Sequence, residues 1–207
     1  MWMKKMIGGF FCVFCLWLSL TAIKADTARA ADIPASAPPE ESSLFATAAV
    51  LMDADSGRVL YGKHEDAVMA MASTPKIMTC IAVLENASLD ETLTVSAYAA
   101  SMPKVKLYIQ KGEQYTIRDL LHSLMLESHN DTAVALAEYI GKQHLSAELR
   151  DKDTAEYTAE ESRAAVAAFA SLMNAKAAEL GCEDTWFITP NGLDATENVS
   201  LPDGSTM

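Results

Sequence analysis

Ser73-Thr74-Pro75-Lys76 places a hydroxyl and an amine three residues apart at the start of an apolar run. The run, Ser73 to Leu84, contains IMTCIAVL and is apolar on nearly every side, which predicts a fully buried helix. Pro75 suits its first turn, where a missing N–H costs little. Residues three apart share a helix face, so Lys76 should project beside the Ser73 hydroxyl. Burial disfavours the ammonium form and lowers the pKa of such an amine. A neutral amine against a hydroxyl is a general base for a nucleophilic serine. The helix N-terminus adds N–H groups and positive potential where an acyl oxygen would gain charge. Ser101-Met102-Pro103-Lys104 repeats the pattern in a broken segment and lacks this setting.

Ser128-His129-Asn130 supplies a second hydroxyl and a carboxamide 55 positions further on. The hydroxyl could relay a proton to a leaving amine, and the carboxamide could hold a substrate amide. Each short pattern also has a bland reading. Ser73 suits an ordinary helix cap, Lys76 a snorkelling surface amine, and Ser128 and Asn130 plain turn chemistry.

The elements that would carry these groups follow from the surrounding pattern. Phe45 to Asp53, then Asp55-Ser56-Gly57, then Arg58 to Tyr61 reads as a hairpin with Gly57 at its turn. Leu93 to Ser96 is a short extended piece, and Tyr98 to Gly112 is mixed and broken by Pro103. Thr116-Ile-Arg-Asp119 has capping-box spacing, and Ile117, Leu120, Leu121, Leu124 and Met125 follow at helical intervals. After the Ser128 to Asn130 turn, Asp131 to Ile140 is an apolar-faced helix ending at Gly141. Gln143 to Glu161 reads as a polar surface insertion. Ser162 to Leu180 is an Ala-rich helix closed by Gly181. Trp186 to Thr189 is a short strand, and Pro190-Asn191-Gly192 a turn. Met102, Met125 and Met173 fall in apolar patterns and are expected to pack.

The chain has 207 residues, half of them apolar, and a formal net charge of −12. That is enough apolar material for one sizeable core, and the acidity argues against nucleic acid as a partner. Lys4 and Lys5 precede a charge-free run from Met6 to Ile23, followed by Ala28-Arg29-Ala30. This is the layout of a signal peptide over residues 1–30, although the run is nearly long enough for an uncleaved anchor. Residues 31–43 (ADIPASAPPEESS) read as a Pro-, Ala- and Ser-rich linker, and 44–207 as the domain. Without residues 1–30 the chain keeps 12 basic and 27 acidic residues, net −15. Cys12 and Cys15 lie in the leader, and Cys80 and Cys182 are expected to be buried free thiols. There is no HExxH, and outside the leader no CxxC, so nothing supports a zinc site.

In this order and on these elements, the two motifs resemble those of the penicillin-binding serine enzymes, which share S-x-x-K, S-x-N and K-[ST]-G. Within them the chain is similar to the D-alanyl-D-alanine carboxypeptidases of the low-molecular-mass penicillin-binding type. The resemblance runs from about Ala48 to Asp194, through LMDADSGRVLYGK, ASTPKIMTCIAVLE, GEQYTIRDLLHSLMLESHNDTAVALAEYIG and TPNGLD. It implies an α+β, β-lactamase/transpeptidase-like fold, an antiparallel sheet with a helical subdomain. It implies Ser73 as the acylated nucleophile, Lys76 as its base, Ser128 as the relay hydroxyl and Asn130 as a substrate-binding residue. His129, in the variable middle position, would line the cleft rather than act as a base. The implied substrate is a peptidoglycan stem peptide ending in D-Ala-D-Ala, with β-lactams as inhibitors and no metal or organic cofactor. The implied location is outside the cytoplasm, in the cell envelope or periplasm. Membrane association would run through an uncleaved N-terminal segment or through a C-terminal part of the kind family members carry.

No K-T-G or K-S-G occurs in the 207 residues, and Lys111-Gly112 is not one. The expectation is therefore the first part of a longer precursor, truncated before the K-T-G strand and inactive alone. Two rivals stand beside it. A class A β-lactamase would need a Glu to activate the deacylating water, and Glu160 and Glu161 lack the Asn that accompanies such a residue. A non-catalytic penicillin-sensing or wall-binding module would keep the fold without turnover.

Overall fold

The computed structural model describes residues 40–194. The leader, most of the linker (31–39) and the tail after Asp194 lie outside the described residues. The chain divides into two compact units after Glu65. Among the described residues no helix is long and apolar enough to cross a membrane.

The first unit is the expected hairpin. Strands β1 (Ala49–Met52) and β2 (Val59–Lys63) pair antiparallel, with Ala49 opposite Lys63 and Leu51 opposite Tyr61. Gly57 sits at the turn with φ 70°. The Asp53 carboxylate accepts from Ser56 N at 2.9 Å and from the Ser56 hydroxyl, and these bonds hold its pKa below the ordinary value. Val50, Leu51, Met52, Val59 and Leu60 are all exposed. Successive strand residues point to opposite faces, so these exposed side chains fall on both faces of the ribbon.

The second unit holds the core. It contains helix α1 (Lys76–Asn86), strand β3 (Thr92–Thr94), helix α2 (Ala97–Ala100), strand β4 (Gln114–Thr116), and helices α3 (Ile117–Glu127), α4 (Asn130–Gly141), α5 (Ala147–Asp151) and α6 (Ala159–Glu179). β3 and β4 form a two-stranded antiparallel sheet. α4 is the central element, and nearly all of its residues are buried. Leu136 and Ile140 of α4 share one core cluster with Leu120 and Leu124 of α3 and Phe169 and Met173 of α6. The α+β class is as expected from the sequence.

Several expectations need correction. α1 is not buried all round: Ile77 and Leu84 are about half exposed, and Ser73 to Pro75 form a tight turn ahead of the first α-helical residue. Thr116 caps α3 through Asp119 N at 3.1 Å. Asp119, a methylene shorter than Glu, bonds the Thr116 hydroxyl instead of reaching back to its N–H, so only half a capping box forms. Gly141 does not end α4 by a left-handed turn. A Cβ there would stand 1.9 Å from the Ala165 carbonyl, so the glycine lets α4 and α6 touch.

Residues 143–161 are a structured connection rather than a surface insertion. They contain α5 and a 3-10 turn (Thr154–Glu156), bury Thr154 and Tyr157, and end in a complete Thr158/Glu161 capping box that starts α6 three residues early. No strand forms at Trp186 to Thr189. Asn174 of α6 replaces the strand partner, accepting from Phe187 N at 2.7 Å and donating to Phe187 O at 2.8 Å. Cys80 and Cys182 are both free, but Cys80 is only half-buried and Cys182 is exposed. Met173 is fully buried and Met102 packs partly, whereas Met125 is 47% exposed.

Candidate active site

Ser73 lies one tight turn before α1, exposed, while Lys76, at the first position of α1, is 3% exposed. The Lys76 Nζ stands 3.0 Å from Ser73 Oγ, 2.8 Å from Asn130 Oδ1 and 2.7 Å from the Asn191 carbonyl oxygen. Three of the elements singled out from the sequence therefore meet at one amine: the turn into α1, the start of α4, and the Pro190-Asn191-Gly192 turn.

All three partners of the amine are neutral oxygens. Nothing there repays the cost of burying a positive charge, and desolvation lowers the Lys76 pKa from 10.5 to about 8. The neutral amine has two N–H donors and one lone pair. Two donors satisfy Asn130 Oδ1 and Asn191 O, which leaves the lone pair for the Ser73 O–H. An amine so placed can take a proton from that hydroxyl, which is the first chemical requirement of serine acylation.

Asn130 is fixed from both ends. Its Nδ2 donates to Pro103 O at 3.2 Å, its backbone N–H to Val105 O at 2.7 Å, and its Oδ1 faces Lys76. Ser128 ends α3 in the left-handed conformation, φ 59°. Among the described residues its hydroxyl makes no hydrogen bond to Ser73, Lys76 or Asn130. His129 turns back onto α3, with Nδ1 2.7 Å from Ser123 Oγ. The second S-x-x-K assembles nothing of this kind: Ser101 ends α2, its hydroxyl donates to Tyr98 O at 2.7 Å, and Lys104 is exposed.

The 189–193 turn belongs to the site, a contribution that sequence reasoning gave only as a turn. Besides the Asn191 carbonyl, Pro190 O accepts from the buried Thr79 hydroxyl at 2.6 Å, one helical turn beyond Lys76. Gly192 has φ 77°, and a Cβ there would fall 1.6 Å from Ala72 O, beside the turn that carries Ser73. The Pro-Asn-Gly signal was visible, but a backbone carbonyl is carried by every residue and has no signature.

Such an arrangement, on a helical unit with small antiparallel sheets, is that of a penicillin-binding DD-peptidase fold. The chain belongs to the D-alanyl-D-alanine carboxypeptidase family, whose sequence pattern matches residues 34–145. It is 33% identical over 153 residues to the D-alanyl-D-alanine carboxypeptidase DacF of Bacillus subtilis, covering 72% of this chain and 34% of that one. The crystal structure of the D-alanyl-D-alanine carboxypeptidase DacD from Francisella tularensis superposes with a TM-score of 0.61 at 32% identity, over 78% of this chain and 35% of that one. Penicillin-binding protein D2 of Listeria monocytogenes, in its cefotaxime-bound form, gives 0.54 at 29% identity, over 77% and 57%. The chain thus spans about a third to just over half the length of these relatives.

Proposed function

We propose that this chain carries the acylating centre of a serine-type D-Ala-D-Ala carboxypeptidase acting on peptidoglycan stem peptides. The supporting observation is the Lys76 amine held 3.0 Å from Ser73 Oγ by two carbonyl oxygens, with no carboxylate bonded to it among the described residues. In this reading Ser73 Oγ attacks the carbonyl of the penultimate D-Ala while Lys76 takes its proton. The bond to the terminal D-Ala breaks, and the leaving amine receives a proton relayed through Ser128. Water then releases the shortened peptide from Ser73. Asn130 orients Lys76 and offers its amide to the substrate backbone. A β-lactam would acylate the same oxygen, as the cefotaxime-bound relative suggests. Export by the 1–30 leader would place the enzyme in the envelope, where such peptides are found.

The test is fluorescent penicillin on the full-length protein, with D-Ala release from a pentapeptide measured in parallel. The reading expects labelling that Ser73→Ala abolishes, together with D-Ala release; no labelling of the wild type overturns it. A second reading is a penicillin-sensing or wall-binding module without turnover, since a fold does not fix a function. It expects labelling, or wall binding, without release of D-Ala.

A further inference from the structure

Asp131 follows Asn130 in α4 and is fully buried, yet its carboxylate bonds no Lys or Arg side chain among the described residues. It is surrounded instead by backbone donors. Leu107 N donates at 3.0 Å, Tyr108 N at 2.8 Å, Ile109 N at 3.3 Å, and Thr132 N of its own helix at 2.9 Å. Three consecutive N–H groups can converge on one carboxylate because the chain curls at Tyr108, which has φ 67°. Such a concave run of amides is a natural seat for an anion. Here the anion is supplied by the first turn of α4, where the helix dipole also favours negative charge.

The residues just before this curl are those that hold Asn130. Pro103 O accepts from Asn130 Nδ2, and Val105 O from Asn130 N. A carboxamide can present either its oxygen or its nitrogen to a neighbour, and Pro103 O decides which. By taking the NH2 end it turns Oδ1 onto the Lys76 amine at 2.8 Å.

We propose that Asp131 is a positioning residue for the Ser73–Lys76 pair: its carboxylate clamps the 107–109 amides, fixes the 103–105 carbonyls, and so sets which end of the Asn130 amide meets Lys76. The consequence for acylation rests on the function proposed above; the clamp itself does not. No proton is transferred by Asp131, and no substrate touches it.

Two readouts on the full chain test this and separate it from the functional reading. The first is NMR of the 15N-labelled wild type. The amide of Tyr108 is on an exposed residue outside any helix or strand. The clamp predicts exchange at least about a hundredfold slower than in an open loop, as for a bonded amide. It also predicts a single, slowly exchanging Asn130 NH2 pair. Fast Tyr108 exchange overturns the proposal whether or not the chain reacts with penicillin.

The second readout is penicillin acylation in Asp131→Asn and Asp131→Ala. Asparagine keeps the shape and one acceptor oxygen, whereas alanine removes all four bonds, so the expected loss in acylation rate is about tenfold for the first and about a hundredfold for the second. Both losses should fall in the rate of the covalent step rather than in initial penicillin binding, and both should double or broaden the Asn130 NH2 signals. Phe169→Leu, which weakens the core elsewhere, should leave those signals sharp. If Asp131→Asn folds and keeps wild-type acylation and unchanged Asn130 signals, the proposal fails. A wild type that shows the protected amides but never reacts sinks the functional reading and leaves the clamp standing.

Discussion

The hairpin and the helical unit are both rich in apolar residues, and they use them in opposite ways. β1 and β2 carry Val50, Leu51, Met52, Val59 and Leu60, all at least 48% exposed. In the helical unit Leu120, Leu124, Leu136, Ile140 and Phe169 are 2% exposed or less. The difference is one of closure. A two-stranded ribbon is marginally stable at best by itself. Around α4, helices approach from several sides, and at Gly141 the missing Cβ lets α6 come close. The bonds linking Ser73, Lys76, Asn130 and Asn191 all lie within the closed unit. An amine with a lowered pKa needs burial, and the closed unit leaves Lys76 only 3% exposed.

Substitutions can break this contrast, and the largest effect is expected in the core. Phe169→Ala should cost about 4 kcal/mol of unfolding free energy, read by denaturant melts of the helical unit. A loss below about 1 kcal/mol would mean that the core is looser than its burial implies.

The next effect is electrostatic. Glu138 of α4 is 1% exposed, and burial pushes its carboxyl up to about 7 from 4.5, with the Ser96 hydroxyl donating to Oε1 at 2.8 Å. The folded state therefore holds a proton that the unfolded state has lost between pH 4.5 and about 7. Stability should fall as pH rises through that window and level off above it. Glu138→Gln should remove the slope and be more stable than wild type above neutral pH, on the order of 2 kcal/mol. A wild type with pH-independent stability across this window would contradict the assignment.

The smallest effect belongs to the ribbon. Leu51→Ala should change stability by less than about 0.5 kcal/mol, as for an exposed site. The β1–β2 amides should exchange faster than those of α4 by several orders of magnitude, roughly the range between marginal and globally protected segments. Equal protection in the two regions would erase the contrast.

The same division explains what the sequence made legible. The S-x-x-K pattern, the helix periodicities of α3 and α4 and the turn chemistry of the hairpin are local, and each reappears close to its expected residues. Asn130 was legible as the carboxamide of S-x-N, and its bond to Lys76 gives it a place at the amine. Ser128 shares the motif and ends α3 in the left-handed conformation, but among the described residues its hydroxyl makes no hydrogen bond to the amine. What stayed hidden depends on distant partners. The Asn191 carbonyl has no residue-type signature. β4 is three residues long and exists through its pairing with β3. The 186–189 segment has strand-like residues but finds Asn174 in place of a neighbouring strand. Residues 143–161 look solvated by composition, yet their polar side chains cap helices, and Thr154 and Tyr157 are buried.

The central claim, a buried neutral amine acting on Ser73, is tested most directly by the rate of Ser73 acylation by fluorescent penicillin as a function of pH. The amine is active when unprotonated, so the rate should climb as pH passes about 8 and then level off. Lys76→Met, which fills the same space without a base, should fold and lose at least about a hundredfold in rate. A Lys76→Met chain acylated at the wild-type rate, or a wild type whose rate is flat across that pH range, would contradict the account.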